Sequence, residues 1–404
     1  VRIAILAPST TPSGIAAYAL ALGEALCALG HEAVVHAPDP TGGGFFRDAR
    51  CPVISVAAKP VCGSAAARIG ARIGDYLAHF STPAACDFDI FHAQCGISGN
   101  ALATLTRRRL VGGFVRTVHH IETLADAQLA RWQDRAIVDA ARLLCVSRFQ
   151  AAALAATYGT PAEIVGSGVD GTVFNPNPEP GDAALRVRLG LSGGPVFLCV
   201  GGFAARKNTL AIIEAFAALH RCIPAAQLVI AGEASAFESA GYEACCYAAL
   251  EREGLRIGPG WPVICTGPVD QADIPGLYRV ADTLVIPPGA DGYRLCVLEA
   301  MACGSPVIVP ARPPFTEYLP PAAALWLDPG DTAVIASAMQ ASLEPARRAR
   351  LRNTARNCVE LQTWAACAAR HLPTYTAIMP RPALAVPFAT GAAAWNVQRM
   401  PPGT

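Results

Sequence analysis

The chain has almost no surplus of charge: 32 basic residues stand against 31 acidic ones, for a net charge of +1. So close a balance argues against a partner held by bulk electrostatics, duplex DNA above all, and no nucleic-acid ligand is expected. Long apolar runs are missing as well. Nowhere do about eighteen such residues follow one another, so no membrane-spanning helix is predicted. There are 15 cysteines, yet they form no C-x-x-C pair and no Cys/His cluster at zinc spacing, which leaves no metal centre and no disulfide framework to expect. Neither half opens on a strand that runs into G-x-G-x-x-G, and this argues against a dinucleotide dehydrogenase. The opening VRIAILAP reads as a strand rather than a leader. The cysteines then read as small buried hydrophobes in a reducing cytoplasm, and the expected protein is soluble there, at most touching the inner face of a membrane.

A length of 404 residues is enough for two domains of ordinary size. Apolar stretches at 3–7, 32–37, 89–94, 114–120 and 142–147 read as parallel strands separated by helical segments, the first helix spanning 14–29. The pattern stops at NPNPEPGDAA, a Pro/Gly/polar stretch that reads as a linker over 176–185. A second set follows at 195–202, 226–233, 263–269, 283–288 and 306–310. The fold class expected is α/β, with two doubly wound parallel-sheet domains at 1–175 and 186–365. Residues 344–372 read as helical, and the tail from Pro380 shows no period.

The richest stretch is GADGYRLCVLEAMACGSPVIV, residues 289–309. Asp291 and Glu299 bracket the start of a helix whose apolar face carries Leu295, Leu298 and Met301, and Gly304 closes it. Gly292 permits a tight turn before it. A loop of this kind aims backbone N–H groups and the positive end of a helix dipole at one point, where a diphosphate can be held. The two carboxylates suit hydroxyl groups on either side of that anion, which suggests a ligand with sugar, phosphate and sugar in a row.

These residues resemble the Glu-x7-Glu motif of the retaining glycosyltransferases of the GT-B fold, family 4, in which EGFGL followed by LEAMACGxPV is usual. The resemblance implies a GT-B architecture of two Rossmann-like domains facing a central cleft, with the chain end, 366–404, crossing back onto the first domain before an irregular tail. It implies contact of Asp291 with the transferred sugar, N–H groups of Gly292, Tyr293, Arg294 and Leu295 on the diphosphate, and Glu299 on the ribose. Two departures stand out: aspartate replaces the first glutamate, and Tyr293-Arg294 replaces Phe-Gly.

Other segments fit the same family in order. VGGFAARKN puts Arg206 and Lys207 at the mouth of a helix, where a cation pair neutralises a diphosphate leaving group. Lys207 matches the family lysine, while Gly202 stands where arginine is common and Arg206 is its substitute. His119 ends a strand at TVHH and matches a histidine near the donor sugar, with His120 in place of an aspartate. Gly14 matches the glycine that approaches donor phosphate or acceptor. Ser147-Arg148 and Gly168-Val169-Asp170 match acceptor-side segments, and Thr266 to Val269 match the stretch that holds the nucleobase through backbone contacts.

The implied activity is metal-independent, retaining transfer of a hexose from a nucleotide diphosphate sugar, with no cofactor beyond that co-substrate. The acceptor would be a small molecule, a glycan or a lipid. A nucleotide-sugar epimerase or hydrolase of the same layout, or a non-catalytic nucleotide-sugar-binding protein, are the alternatives. Arg68, Arg72 and Arg107 to Arg109 form a basic face that could give weak peripheral contact with anionic lipid.

Overall fold

The computed structural model describes residues 1–233, 240–286, 293–327 and 331–379. Thirteen strands are described: β1 Arg2–Leu6, β2 Glu32–Asp39, β3 Val53–Ala57, β4 Ile90–Ala93, β5 Val115–Val118, β6 Arg142–Cys145, β7 Ala162–Ile164, β8 Val196–Val200, β9 Gln227–Ala231, β10 Val263–Gly267, β11 Thr283–Val285, β12 Val307–Pro310 and β13 Leu325–Leu327. They form two sheets, in the orders β3-β2-β1-β4-β5-β6-β7 and β10-β9-β8-β11-β12-β13. Every strand pair is parallel.

Parallel strands are covered on both faces, so they read as unbroken apolar runs rather than as alternation. In β1, Ile3 and Ile5 enter one core and Ala4 and Leu6 the other. In β8, Val196 and Leu198 enter one core and Phe197 and Cys199 the other. Each sheet therefore carries helices on both sides, the doubly wound arrangement expected from the sequence. In each sheet the order reverses beside the first strand, between β1 and β4 and between β8 and β11. Ligands of open α/β sheets bind at such switch points, outside the carboxyl ends of the strands.

The linker reading needs one correction. A helix, Pro180–Leu189, begins inside the Pro-rich stretch. Proline at its first turn lacks only an N–H that no helix would use, and the Glu179 N–H donates to Asp182 Oδ2 at 3.0 Å to start it. Leu185 and Leu189 join the core of the second lobe. The late helical region is two helices, Pro345–Glu360 on the second lobe and Trp364–Ile378 on the first. The chain crosses between them, and Val169 bridges Thr363 there. Gly168 is required at this crossing, because a Cβ on it would run into the Thr363–Trp364 backbone. The tail from Pro380 lies outside the described residues. Among those described, no helix is long and apolar enough to cross a membrane.

Candidate functional site

The carboxyl end of β8 bends sharply at Gly201 (φ +115°) and Gly202 (φ +66°), and both N–H groups donate to Ala231 O, at 2.7 and 3.1 Å. A side chain at Gly201 would sit 2.9 Å from Lys207 Cε, so the missing Cβ is the space over which Lys207 lies. Asn208, at φ +51°, turns the chain into the helix Thr209–Cys222, and Thr209 Oγ1 donates to Gly202 O at 2.9 Å. The bend, the lysine and the helix thus form one fixed unit. Arg206 is exposed beside it. Burial, and then the neighbouring charges of Arg294 and Arg206, push the Lys207 ammonium well below its usual range.

Asp291 and Gly292 lie outside the described residues. Directly after them, Tyr293 stacks on Tyr318 with ring centroids 4.1 Å apart, and its hydroxyl donates to Gln362 Oε1 at 2.5 Å. Arg294 is only 5% exposed; it stands at the N-cap position of the helix Leu295–Ala302 without a side-chain capping bond, and Lys207, Cys199 and Cys296 are among its electrostatic neighbours. Leu295 packs against the core of the first lobe. Tyr293 also packs on the core of the second lobe, so this segment reaches from one lobe to the other and sets the start of the helix between them. Glu299, one turn further on, accepts a bond from the Tyr278 hydroxyl at 2.8 Å, and burial pushes its carboxyl up to about 7. Val269 is half-buried against the second lobe's core, just past the Gly267 turn at φ +63°.

On the first lobe, Gly14 opens the helix Gly14–Ala28, which Ser13 caps by accepting from the Ala16 N–H at 3.1 Å. A Cβ on Gly14 would meet nothing within 4 Å, so packing does not demand the glycine. His119, past the end of β5, donates from Nε2 to Gln94 Oε1 at 3.0 Å and meets the Tyr18 ring edge-on at 4.7 Å. Burial holds its pKa down to about 3, so it stays neutral. Behind it His92 links Tyr375 Oη and Thr117 Oγ1, at 2.8 and 2.7 Å. His120 turns outward and bonds Glu122 at 2.8 Å. The bond and charge of His120, and then the charge of Arg206, hold the Glu122 carboxyl below its usual range despite burial.

Three contributors had no signal in the sequence. Gln94 orients His119, Tyr278 holds Glu299, and Tyr18 ties His119 to the crossing helix through Trp364 at 5.0 Å. The basic face proposed for lipid is partly spent: Arg72 pairs with Asp75 at 2.9 Å and Arg107 with Asp139 at 2.8 Å. Among the described residues no group of three or more His, Cys, Asp and Glu side chains could hold a metal ion. The arrangement offers an anion site on one lobe and a neutral, hydrogen-bonding wall on the other.

Residues 12–172 match the family model described as Glycosyltransferase Family 4, and residues 194–344 the one described as Glycosyl transferases group 1. D-inositol 3-phosphate glycosyltransferase of Xylanimonas cellulosilytica is 29% identical over 318 residues, 73% of this chain and 74% of that protein. The GDP-mannose-dependent alpha-(1-6)-phosphatidylinositol monomannoside mannosyltransferase of Mycolicibacterium smegmatis is 30% identical over 179 residues, 42% of this chain and 44% of that protein. Among solved structures, HepE of Anabaena in complex with UDP and glucose superposes with a TM-score of 0.74 at 18% identity, over 93% of this chain and 99% of that one. Sucrose-phosphate synthase of Thermosynechococcus elongatus gives 0.74 at 22% identity, over 93% and 98%.

Proposed function

Since the chain belongs to the glycosyltransferases of the GT-B fold, with a family 4 domain followed by a group 1 domain, we propose that it transfers a hexose, with retention, from a nucleoside diphosphate sugar to a hydroxyl held against the first lobe. The observation that carries this reading is the gathering of Lys207, Arg206 and Arg294 at the switch point of the second sheet, beside a helix N-terminus. A diphosphate would meet these three basic groups together, and their interaction with it strengthens as it takes on its full charge on departure.

In the step itself, the bond from the anomeric carbon to the diphosphate oxygen breaks as the acceptor oxygen forms a bond on the same face. The acceptor proton passes to the departing diphosphate oxygen, so no enzyme base is needed. Arg206, Lys207 and the first-turn N–H groups of Leu295–Ala302 take up the developing charge, which is the work a metal ion would otherwise perform. Glu299 accepts from the ribose hydroxyls, and the neutral His119, fixed by Gln94, hydrogen-bonds the sugar. Asp291 completes the sugar contact. Closure of the lobes excludes water and favours transfer over hydrolysis.

The names of a relative and of a HepE complex put GDP-mannose and UDP-glucose first among donors to test, and the relatives' names put inositol phosphates and phosphatidylinositol mannosides first among acceptors. The test is product analysis by NMR with each donor, with and without acceptor. An α-linked product that requires acceptor supports the reading. Free sugar released equally without acceptor would make the protein a hydrolase, an epimerised donor would make it an epimerase, and calorimetric binding with no turnover would make it a binding protein.

A further inference from the structure

One group of charged side chains has no part in the transfer reaction. Behind the second lobe's core lies a cavity of about 560 Å3. Its walls come from the helices Pro180–Leu189, Ile274–Val280 and Pro345–Glu360, from the end of Leu295–Ala302, and from the stretch that joins the lobes. Four guanidinium groups line it, those of Arg186, Arg279, Arg352 and Arg356, against the carboxylates of Asp182 and Glu360.

Asp182 is already committed. Arg279, whose side chain is 6% exposed, donates to both its oxygens, each at 2.8 Å, and stands 3.3 Å from Glu179. That leaves Arg279 Nη1 buried with no partner. Arg352 donates to Gly304 O at 2.8 Å. Arg186 is half-buried and Arg356 exposed at the cavity's rim, and among the described residues no hydrogen bond or ion pair of either side chain is found. A buried guanidinium N–H without an acceptor is costly to leave dry, and the least costly occupant is an anion with several oxygens. Phe174 and Pro176 give the same cavity an apolar wall, and its volume is larger than a bare ion needs.

We infer that this cavity is a second anion site, taking a small phosphate monoester whose phosphate meets Arg279, Arg186 and Arg356 and whose carbon skeleton lies against Phe174 and Pro176. Both chain connections between the lobes run through it: residues 169–178 form one wall and Thr363, at the crossing, another. An occupant fastens these two strands of chain to the second lobe and so biases lobe closure, which makes the ligand an effector of whatever reaction the cleft performs.

The experiment uses the full chain with its cleft saturated by UDP or GDP, whichever binds, so that Arg206 and Lys207 are already engaged. Calorimetry with inorganic phosphate and with glycerol 3-phosphate is expected to show one further site, and the Arg186→Gln/Arg356→Gln double variant to weaken it at least tenfold while leaving nucleotide affinity and melting temperature unchanged. Crystals soaked in tungstate should show an anomalous peak among Arg186, Arg279 and Arg356. No peak in that cavity, or equal phosphate affinity in the double variant, overturns the proposal. Binding to vesicles of anionic lipid without binding of glycerol 3-phosphate overturns it in favour of a headgroup. Because the readout is binding with the cleft filled, failure here leaves the proposed transfer reaction standing.

Discussion

The two lobes present the same sheet order to the cleft and equip it in opposite ways. Past the ends of β1, β4 and β5, the first lobe offers Gly14, which brings no side chain, and Gln94 and His119, joined by a neutral hydrogen bond with the Tyr18 ring against His119. The second lobe offers Arg206, Lys207, Arg294 and Glu299, all charged or titrating. Shared architecture therefore does not decide chemistry; the residues grafted at each switch point do. In the proposed reaction one lobe would orient hydroxyls without competing for protons, and the other would receive charge.

Removing the charge should give the largest effect. Lys207→Ala is expected to lower kcat/KM by about 10²–10³, the cost of deleting one donor to a developing anion in an enclosed site. Arg206→Ala, on an exposed side chain, should cost about tenfold. Turnover that survives Lys207→Ala unchanged would end the charged-lobe assignment. On the opposite wall, Gln94→Leu frees His119 to rotate, and kcat should fall about tenfold with donor KM nearly constant, because orientation rather than binding is lost. A change in donor KM alone would place His119 on the wrong side of the comparison.

Titration sharpens the contrast further. His119, held down to about 3, stays neutral throughout the working range, so it contributes no limb to the pH profile. Glu299, raised to about 7, does contribute one. If Glu299 accepts from ribose hydroxyls as proposed, they favour its ionised form, so donor KM should rise as pH falls below 7, and Glu299→Gln should flatten that dependence. Stability runs the opposite way. With a folded pKa above its unfolded value, the protonated carboxyl's contribution is complete at pH near 4.5 and is lost as pH rises through about 7. Glu299→Gln should therefore melt higher than the parent at pH 8, by the equivalent of about 1–3 kcal/mol, and show little difference at pH 4.5. An equal shift at both pH values would contradict the burial of the charge.

Much of this layout was legible from the chain alone, for a physical reason. Central parallel strands such as β8 and β9 are apolar on both faces, so VFLCV and QLVIA declare themselves. The edge strand β3, VISVA, is apolar in sequence yet exposed at every position but Val56, so its sequence does not report its place at the edge, and β7 and β13, with three residues each, are too short to stand out. Lys207 and Glu299 could be singled out as candidates because the motifs of the resemblance are local, each set by spacing around a helix start. Gln94 and Tyr278 were not, since they lie 25 and 21 positions from the side chains they hold and are brought there only by the fold. Arg294 was readable as a departure, but that its side chain turns inward is decided by packing.

The smallest expected effect lies where the lobes touch. Glu317, on the second lobe, accepts from the Arg148 and Phe149 N–H groups at 2.6 and 2.7 Å, the first turn of the first-lobe helix Arg148–Tyr158. Ser147 already satisfies the Gln150 N–H, so the helix would be capped without Glu317, and the carboxylate's particular contribution is to join the lobes. A charged acceptor on two amides is worth about 1–2 kcal/mol, and it exists only while the lobes are together. Glu317→Gln should therefore leave the melting of each lobe almost unchanged while enlarging the radius of gyration seen by small-angle scattering and changing the rate only a few-fold. A compact, unchanged scattering profile would mean that the lobes are held by the Tyr293–Tyr318 stack and the crossing helix alone, and that the contrast between them is maintained without this contact.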